Sequence, residues 1–177
     1  MIKLGIILAA GEGTRLYPLT AFVNKHILNV YNKPMIYYPL SNLIMLGCEK
    51  IIIITNKKDT VLMEAIAALL DRMNVKAEVR FQSEKKGIPT AIYEAIAGEE
   101  FDELYTLLGD NIFFGSGFIN SILSESSPNL IITKEVKNPN QFGVLTNVGE
   151  IPQVIEKPKS YLGNQVVTGL YKFGKDI

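Results

Sequence analysis

The chain has 177 residues, is 47% hydrophobic and carries 18 basic against 18 acidic side chains, an ordinary globular composition that fits one domain, 1–177, burying about 70% of its unfolded surface. The zero formal net charge gives no electrostatic reason to expect nucleic acid or an anionic membrane as partner, and no apolar run approaches the ~20 residues of a membrane span. Cys48 is the only cysteine, which excludes an internal disulfide, and Ile2 to Ala10 lead into a glycine loop rather than a signal-peptide cleavage site, so a cytoplasmic location is expected.

Residues 2–8 are almost continuously apolar and β-branched, as a strand covered on both faces should be. Within 35–46, Pro39 would remove an internal hydrogen bond from a helix begun at Pro34, so the helix starts nearer Tyr37 or is kinked. Ile51 to Thr55 reads as a second buried strand. A helix over 59–73 follows, with Val61, Leu62, Ala65, Ile66, Leu69, Leu70 and Met73 on one face and Asp59 or Thr60 as its cap. Lys76 to Gln82 reads as a strand with Val79 and Phe81 on one side. Pro89 then occupies a tolerated first helical position, and Ala91, Ile92, Ala95 and Ile96 form a stripe ending at Gly98. Glu103 to Leu108 is a strand, Phe118 to Ser124 a short helix and Asn129 to Val136 another strand. From Phe142 onward Val144, Val154, Ile155, Val166, Val167 and Tyr171 lie in short β-like runs broken by Gly149, Pro152, Pro158 and Gly163. The alternation predicts an α/β fold: an open, mostly parallel Rossmann-like sheet with helices on both faces, plus extra β-structure in the C-terminal third folded over a ligand cleft.

The stretch LAAGEGTRLYPLT, residues 8–20, carries the strongest chemical signal. Gly11 and Gly13 allow positive φ and keep the backbone clear of side chains, so successive N–H groups can point into one concavity suited to phosphate. No Gly-Lys-Ser/Thr follows, which excludes a Walker A loop, and the third glycine of a dinucleotide fingerprint would fall at Leu16. What remains is G-x-G-T-R with Lys25 beyond Arg15, a nest with two fixed cations that suits a triphosphate about to lose pyrophosphate. A surface turn with a solvated arginine is the plainer alternative. Ligands of open α/β sheets collect beyond the carboxyl ends of the strands, which adds Gln82 and Gly87 after the third strand and Gly109-Asp110 after the fourth. Asp110 suits a magnesium ligand, because Mg²⁺ takes one or two carboxylates plus phosphate oxygens; capping of the next turn is the competing reading. Lys85 and Lys86 read as solvated. His26 is the only histidine, so neither a zinc site with several His ligands nor a Cys/His pair elsewhere is available, and Cys48 reads as packing.

Leu8 to Thr20, Asn24-Lys25 and Tyr31 to Leu40 (YNKPMIYYPL) together resemble the glucose-1-phosphate thymidylyltransferases of the sugar-phosphate nucleotidylyltransferase family. Further matches follow in the family's order: Gln82, Gly87, Leu108 to Phe113, Phe142-Gly143-Val144, Glu156-Lys157-Pro158 and Val167 to Tyr171. The resemblance implies a nucleotide-diphospho-sugar transferase fold and transfer of a nucleotidyl group from dTTP to a hexose 1-phosphate, with glucose 1-phosphate giving dTDP-glucose and pyrophosphate. It implies nucleotide binding by Leu8, Ala9, Ala10, Gly11, Gly13, Thr14, Arg15, Gln82 and Gly87, with Gln82 at the base edge. Arg15 and Lys25 would clamp the triphosphate, Asp110 would bind Mg²⁺, and Lys157 would hold the sugar phosphate. Gly143, Glu156, Val167 and Thr168 would contact the hexose. The nucleophile is already ionised, so catalysis is alignment plus charge neutralisation.

Two departures stand out. His26 sits where relatives often carry glutamine. The family's later Glu-Leu-Glu-Ile-Thr-Asp segment, source of a second metal-binding aspartate, and its terminal helices have no counterpart before Ile177. A homo-oligomer that binds dTTP or dTDP-glucose but turns over slowly is therefore expected. The alternative reading is a non-catalytic or split-enzyme module that binds a nucleotide or sugar nucleotide.

Overall fold

Ten strands and four α-helices follow one another in the computed structural model, which describes residues 1–82, 87–115, 117–148 and 151–177. Lys85, Lys86 and the break expected at Gly149 lie outside the described residues. The order is β1 (Lys3–Leu8), the short β2 (Asn29–Val30) and β3 (Lys33–Pro34), α1 (Tyr37–Met45), β4 (Lys50–Thr55), α2 (Thr60–Arg72), β5 (Lys76–Phe81), α3 (Ile88–Ile96), β6 (Glu103–Leu108), α4 (Gly117–Ser124), β7 (Leu130–Glu135), β8 (Gly143–Val148), β9 (Ile151–Glu156) and β10 (Gln165–Gly174). No helix among the described residues is long and apolar enough to cross a membrane.

The main sheet runs β5-β4-β1-β6-β10-β8-β9, with β7 also paired to β10. Its first four strands are parallel, as the buried, near-continuous apolar runs predict. β10 then pairs antiparallel with β6, β7 and β8, and β9 closes the edge antiparallel to β8. Leu8 is in register with Ile54 on one side and Leu108 on the other. The chain therefore leaves β1, β4 and β6 at one common edge, and the candidate site lies there.

Alternate residues of the central strands feed two cores. Ile7, Ile51, Ile53, Tyr105 and Leu107 pack with α1, α2 and α4, while Leu4, Ile6, Ile52, Ile54 and Leu104 pack with α3. Each such isoleucine or leucine contributes about 1.5–3 kcal/mol of burial. Helices thus cover both faces, as expected. Gly5 lets α1 approach β1: a Cβ there would lie 2.9 Å from Leu43 Cδ1.

Three local expectations are corrected. The buried face of α2 is Met63, Ile66, Ala67 and Leu70, whereas Val61, Ala65, Leu69 and Met73 are exposed. The helix is apolar nearly all round, so its few polar residues do not mark the stripe. Asp59 stands at the N-cap position of α2 but makes no cap hydrogen bond; its carboxylate is used elsewhere. Pro152 lies inside β9 rather than ending a run, which an edge strand tolerates. The helix over 35–46 starts at Tyr37, so Pro39 falls in its first turn, where its missing N–H costs nothing.

Candidate active site

The glycine loop after β1 folds around one lysine. Gly13 has φ 67°, and a Cβ there would come within 2.9 Å of both Lys25 Cβ and Thr20 Cγ2; one on Gly11 would come 3.0 Å from Lys25 Cε and Nζ. At Gly13 the left-handed backbone and the contact with Lys25 Cβ require glycine, whereas at Gly11 a Cβ would meet only the flexible end of the lysine. Thr20 Oγ1 donates to Gly13 O at 2.9 Å, and Asn56 Nδ2 donates to Ala10 O at 2.5 Å, so the loop is tied to the chain leaving β4. A 3-10 turn at Thr14–Leu16 follows and carries Arg15, which is exposed.

Lys25 spans the gap between this loop and the end of β6. Its Nζ lies 2.5 Å from Asp110 Oδ2. Burial opposes ionisation of Asp110, but the hydrogen bond and charge of Lys25 outweigh it and hold the carboxyl below its ordinary range. The carboxylate is therefore charged at neutral pH. Its orientation derives from Gly109, whose N–H donates to Leu8 O at 2.9 Å, and from Asn111, whose Nδ2 donates to Thr168 O. The latter bond joins the end of β6 to an irregularity in β10 between Val167 and Tyr171. Gly169 in that bulge has φ 82°, and a Cβ on it would lie 2.5 Å from Leu108 Cδ1.

Two cavities meet at this edge and share Ile88 and Leu108 as walls. The first, about 470 Å³, is lined by Leu8, Ala10, Gly11, Gly13, Thr14, Lys25, Gln82, Gly87 and Asp110. The second, about 730 Å³, is lined by Arg15, Gly143, Glu156, Lys157 and Val167, with an apolar wall from α3 and the aromatic residues of β10. The expected nucleotide and sugar-phosphate residues thus sort into adjoining spaces, with three qualifications. Arg15 faces the second cavity rather than the first. Ala9 lines neither: it is fully buried and its N–H donates to Ile54 O at 2.7 Å. Thr168 lines a third hollow, with Asp110 and Asn111, and its hydroxyl donates to Ile132 O at 2.7 Å.

Lys157 occupies a left-handed conformation, φ 45°, and its N–H donates to Phe142 O at 3.0 Å. A strained non-glycine backbone next to a cavity is a recurrent feature of ligand sites. Its Nζ stands 3.4 Å from Glu156 Oε1, but both side chains are more than half exposed, 53% and 70%, so the pair contributes little to stability.

His26 lines the first cavity, a placement that the sequence alone does not show. Its ring is 1% exposed and lies against Gly109. Burial first, then the charge of Lys25, lowers its pKa to about 4. Its partner Asn24 bonds Asp59 in turn. The one sequence signal was an odd histidine after Lys25; the contact across 35 residues had none. Cys48 is buried, which pushes its thiol up to about 12, as packing rather than nucleophilic use requires.

The residues also admit a magnesium ion. Among the described residues no group of three or more His, Cys, Asp or Glu is arranged to hold a metal, so no closed protein cage is present. Lys25 holds Asp110 Oδ2, which leaves the other oxygen of this ionised carboxylate to a cation that would draw its remaining ligands from phosphate and water.

The nucleotidyl transferase family matches residues 4–177. A glucose-1-phosphate thymidylyltransferase of Neisseria meningitidis serogroup A / serotype 4A is 38% identical, with 94% of this chain and 60% of the relative covered. That of Mycobacterium tuberculosis is 36% identical, with 98% and 62% covered. A Bacillus anthracis protein assigned to the same activity, solved with sucrose, superposes with a TM-score of 0.81 at 31% identity, covering 97% of this chain and 71% of the other. A UDP-glucose pyrophosphorylase solved with UDP-glucose shares the fold, with a TM-score of 0.80 at 23% identity, covering 99% of this chain and 77% of the other. The chain spans about 60% of the length of the curated relatives it matches. With nearly all of it inside the family match, this chain belongs to the nucleotidyl transferase family.

Proposed function

We propose that the chain transfers a thymidylyl group from dTTP to glucose 1-phosphate, giving dTDP-glucose and pyrophosphate. The observation that carries this reading is the pairing of cavities: a glycine loop with Lys25 and Asp110 lines one, and Arg15, Glu156 and Lys157 line the next, with Leu108 common to both. A nucleoside triphosphate in the first and a sugar phosphate in the second would meet at that wall. The names of the Neisseria and Mycobacterium relatives support the choice of substrates.

In this reading the protein aligns two anionic groups and offsets their charge. Lys25 neutralises the triphosphate in the first cavity, Arg15 reaches its leaving pyrophosphate from the wall of the second, and Lys157 holds the attacking sugar phosphate. Glu156 accepts from hexose hydroxyls beside the Gly143 and Val167 backbone. Asp110 would hold Mg²⁺, which when bound would supply further charge neutralisation at the phosphates. Gln82 and Gly87 line the base end. A glutamine amide offers a donor and an acceptor to a pyrimidine edge but no special reach for the thymine methyl, so dTTP and UTP bind in preference to purine nucleotides. Pyrophosphate release tests the reading: it should require dTTP, glucose 1-phosphate and Mg²⁺ together. Release from no combination of nucleoside triphosphate and hexose phosphate would refute it, and binding without release would favour a non-catalytic module.

A further inference from the structure

Lys25 and His26 share one 3-10 turn, Lys25–Ile27, and the side chains that fix it belong to neither cavity. Asn24 precedes the turn in extended conformation, and its Oδ1 accepts from the His26 backbone N–H at 2.9 Å. The same oxygen lies 2.6 Å from His26 Nδ1. Asn24 Nδ2 donates to Asp59 Oδ2 at 2.7 Å. The amide orientation is therefore fixed from both ends: a backbone N–H can only donate and an ionised carboxylate can only accept. The atom facing the imidazole is the oxygen. An amide oxygen has no proton to give, so Nδ1 carries the proton.

The other side of the ring is set by Gly109, where a Cβ would come 2.7 Å from His26 Cδ2 and 3.1 Å from Nε2. Asp59 supplies an independent observation. It sits at the N-cap position of α2, where an aspartate commonly accepts from the helix N–H groups. It makes no such bond and turns to Asn24 instead.

We propose that Asn24 and Asp59 are positioning residues, which hold the Lys25–Ile27 turn and lock His26 as the Nδ1–H tautomer. The cavity that contains Asp110 is then offered an imidazole whose Nε2 only accepts, from an O–H or N–H of a ligand or a water. A glutamine at this place can donate as well as accept, so the histidine narrows the chemistry of the position. The kinetic arm of the test rests on the proposed function; the spectroscopic arm does not.

His26 is the only histidine, so a long-range ¹H–¹⁵N correlation spectrum of labelled protein at neutral pH reads its tautomer without ambiguity. The wild type should show a protonated Nδ1 and a bare Nε2. Asn24→Ala and Asp59→Ala should move the ring towards the Nε2–H form that free imidazole side chains favour, while Asp59→Asn, which keeps an acceptor, should retain the Nδ1–H form. Thermal melts confirm that the variants are folded at the temperature used. In the nucleotidyl transfer assay the two alanine variants should lose about tenfold to a hundredfold in kcat over nucleotide KM, with the sugar-phosphate KM unchanged, and Asp59→Asn should recover to within about threefold. A wild-type Nε2–H signal, an unaltered tautomer in Asn24→Ala, or Asp59→Asn as impaired as Asp59→Ala would overturn the proposal. Failure of the wild type to release pyrophosphate would refute the proposed function and leave the spectral result standing.

Discussion

Gly169→Ala perturbs the joint between β6 and β10 without touching a charged group. The residue has φ 82°, a conformation that an L side chain adopts at a cost of about 1–2 kcal/mol. The new Cβ would sit 2.5 Å from Leu108 Cδ1, 2.6 Å from Leu108 Cγ and 2.8 Å from Asn111 Nδ2. Rotation of the Leu108 tip alone does not clear the new methyl, because Cγ also clashes and the backbone that carries it is paired in register with Leu8. Asn111 would have to release Thr168 O. Overpacking of this kind costs a further 1–3 kcal/mol or so, which brings the total to about 2–5 kcal/mol. Urea unfolding followed by circular dichroism measures it. With a slope of about 2–3 kcal/mol/M the midpoint should fall by roughly 1–2 M. A shift below about 0.3 M would mean that the bulge relaxes freely and does not fix the end of β6.

Three further outcomes follow from the same geometry. Arg15→Ala, in an exposed loop, should slow pyrophosphate release by about two to three powers of ten while leaving the unfolding midpoint nearly unchanged; equal activity would refute the clamp. Asp110→Asn keeps the side chain's shape but removes its charge, so a magnesium titration at fixed dTTP should lose its saturable rise; the parent's magnesium dependence in the variant would show that Asp110 is not the ligand. Far from the site, buried Lys172 lies 2.9 Å from Glu103, and Glu103→Gln, which strands that ammonium, should destabilise the fold by about 3–5 kcal/mol in denaturant. Burial resists ionisation of Glu103, but Lys172 and Tyr105 lower its pKa below the ordinary glutamate value. Its contribution is therefore present above that ordinary value and is lost as pH falls through the depressed one, so the wild-type midpoint should decline on acidification more steeply than that of Glu103→Gln.

What could be read from the sequence was local. β6 begins and ends as its apolar run between Asp102 and Gly109 indicates, and Pro39 marks where α1 must start. Gly11, Gly13 and Asp110, grouped at one site from the strand ends they follow, do line one cavity. The features that escaped are long-range. The bond from the Thr168 hydroxyl to Ile132 O exists only once β7 is laid beside β10. Asp59 reads as a helix cap until the Asn24 amide, brought over from the β1 loop, competes for it. Arg15 follows the glycines in sequence, yet the 3-10 turn sends it to the neighbouring cavity.

A crystal structure with dTDP-glucose and Mg²⁺ is the decisive measurement, because under the proposed function that nucleotide sugar would bridge the two cavities. The thymine should lie against Gln82 and Gly87, the diphosphate between Lys25, Asp110 and Arg15, and the glucose against Gly143, Glu156 and Val167. Product bound elsewhere on the chain, or no product in the cleft at saturating concentration, would contradict it.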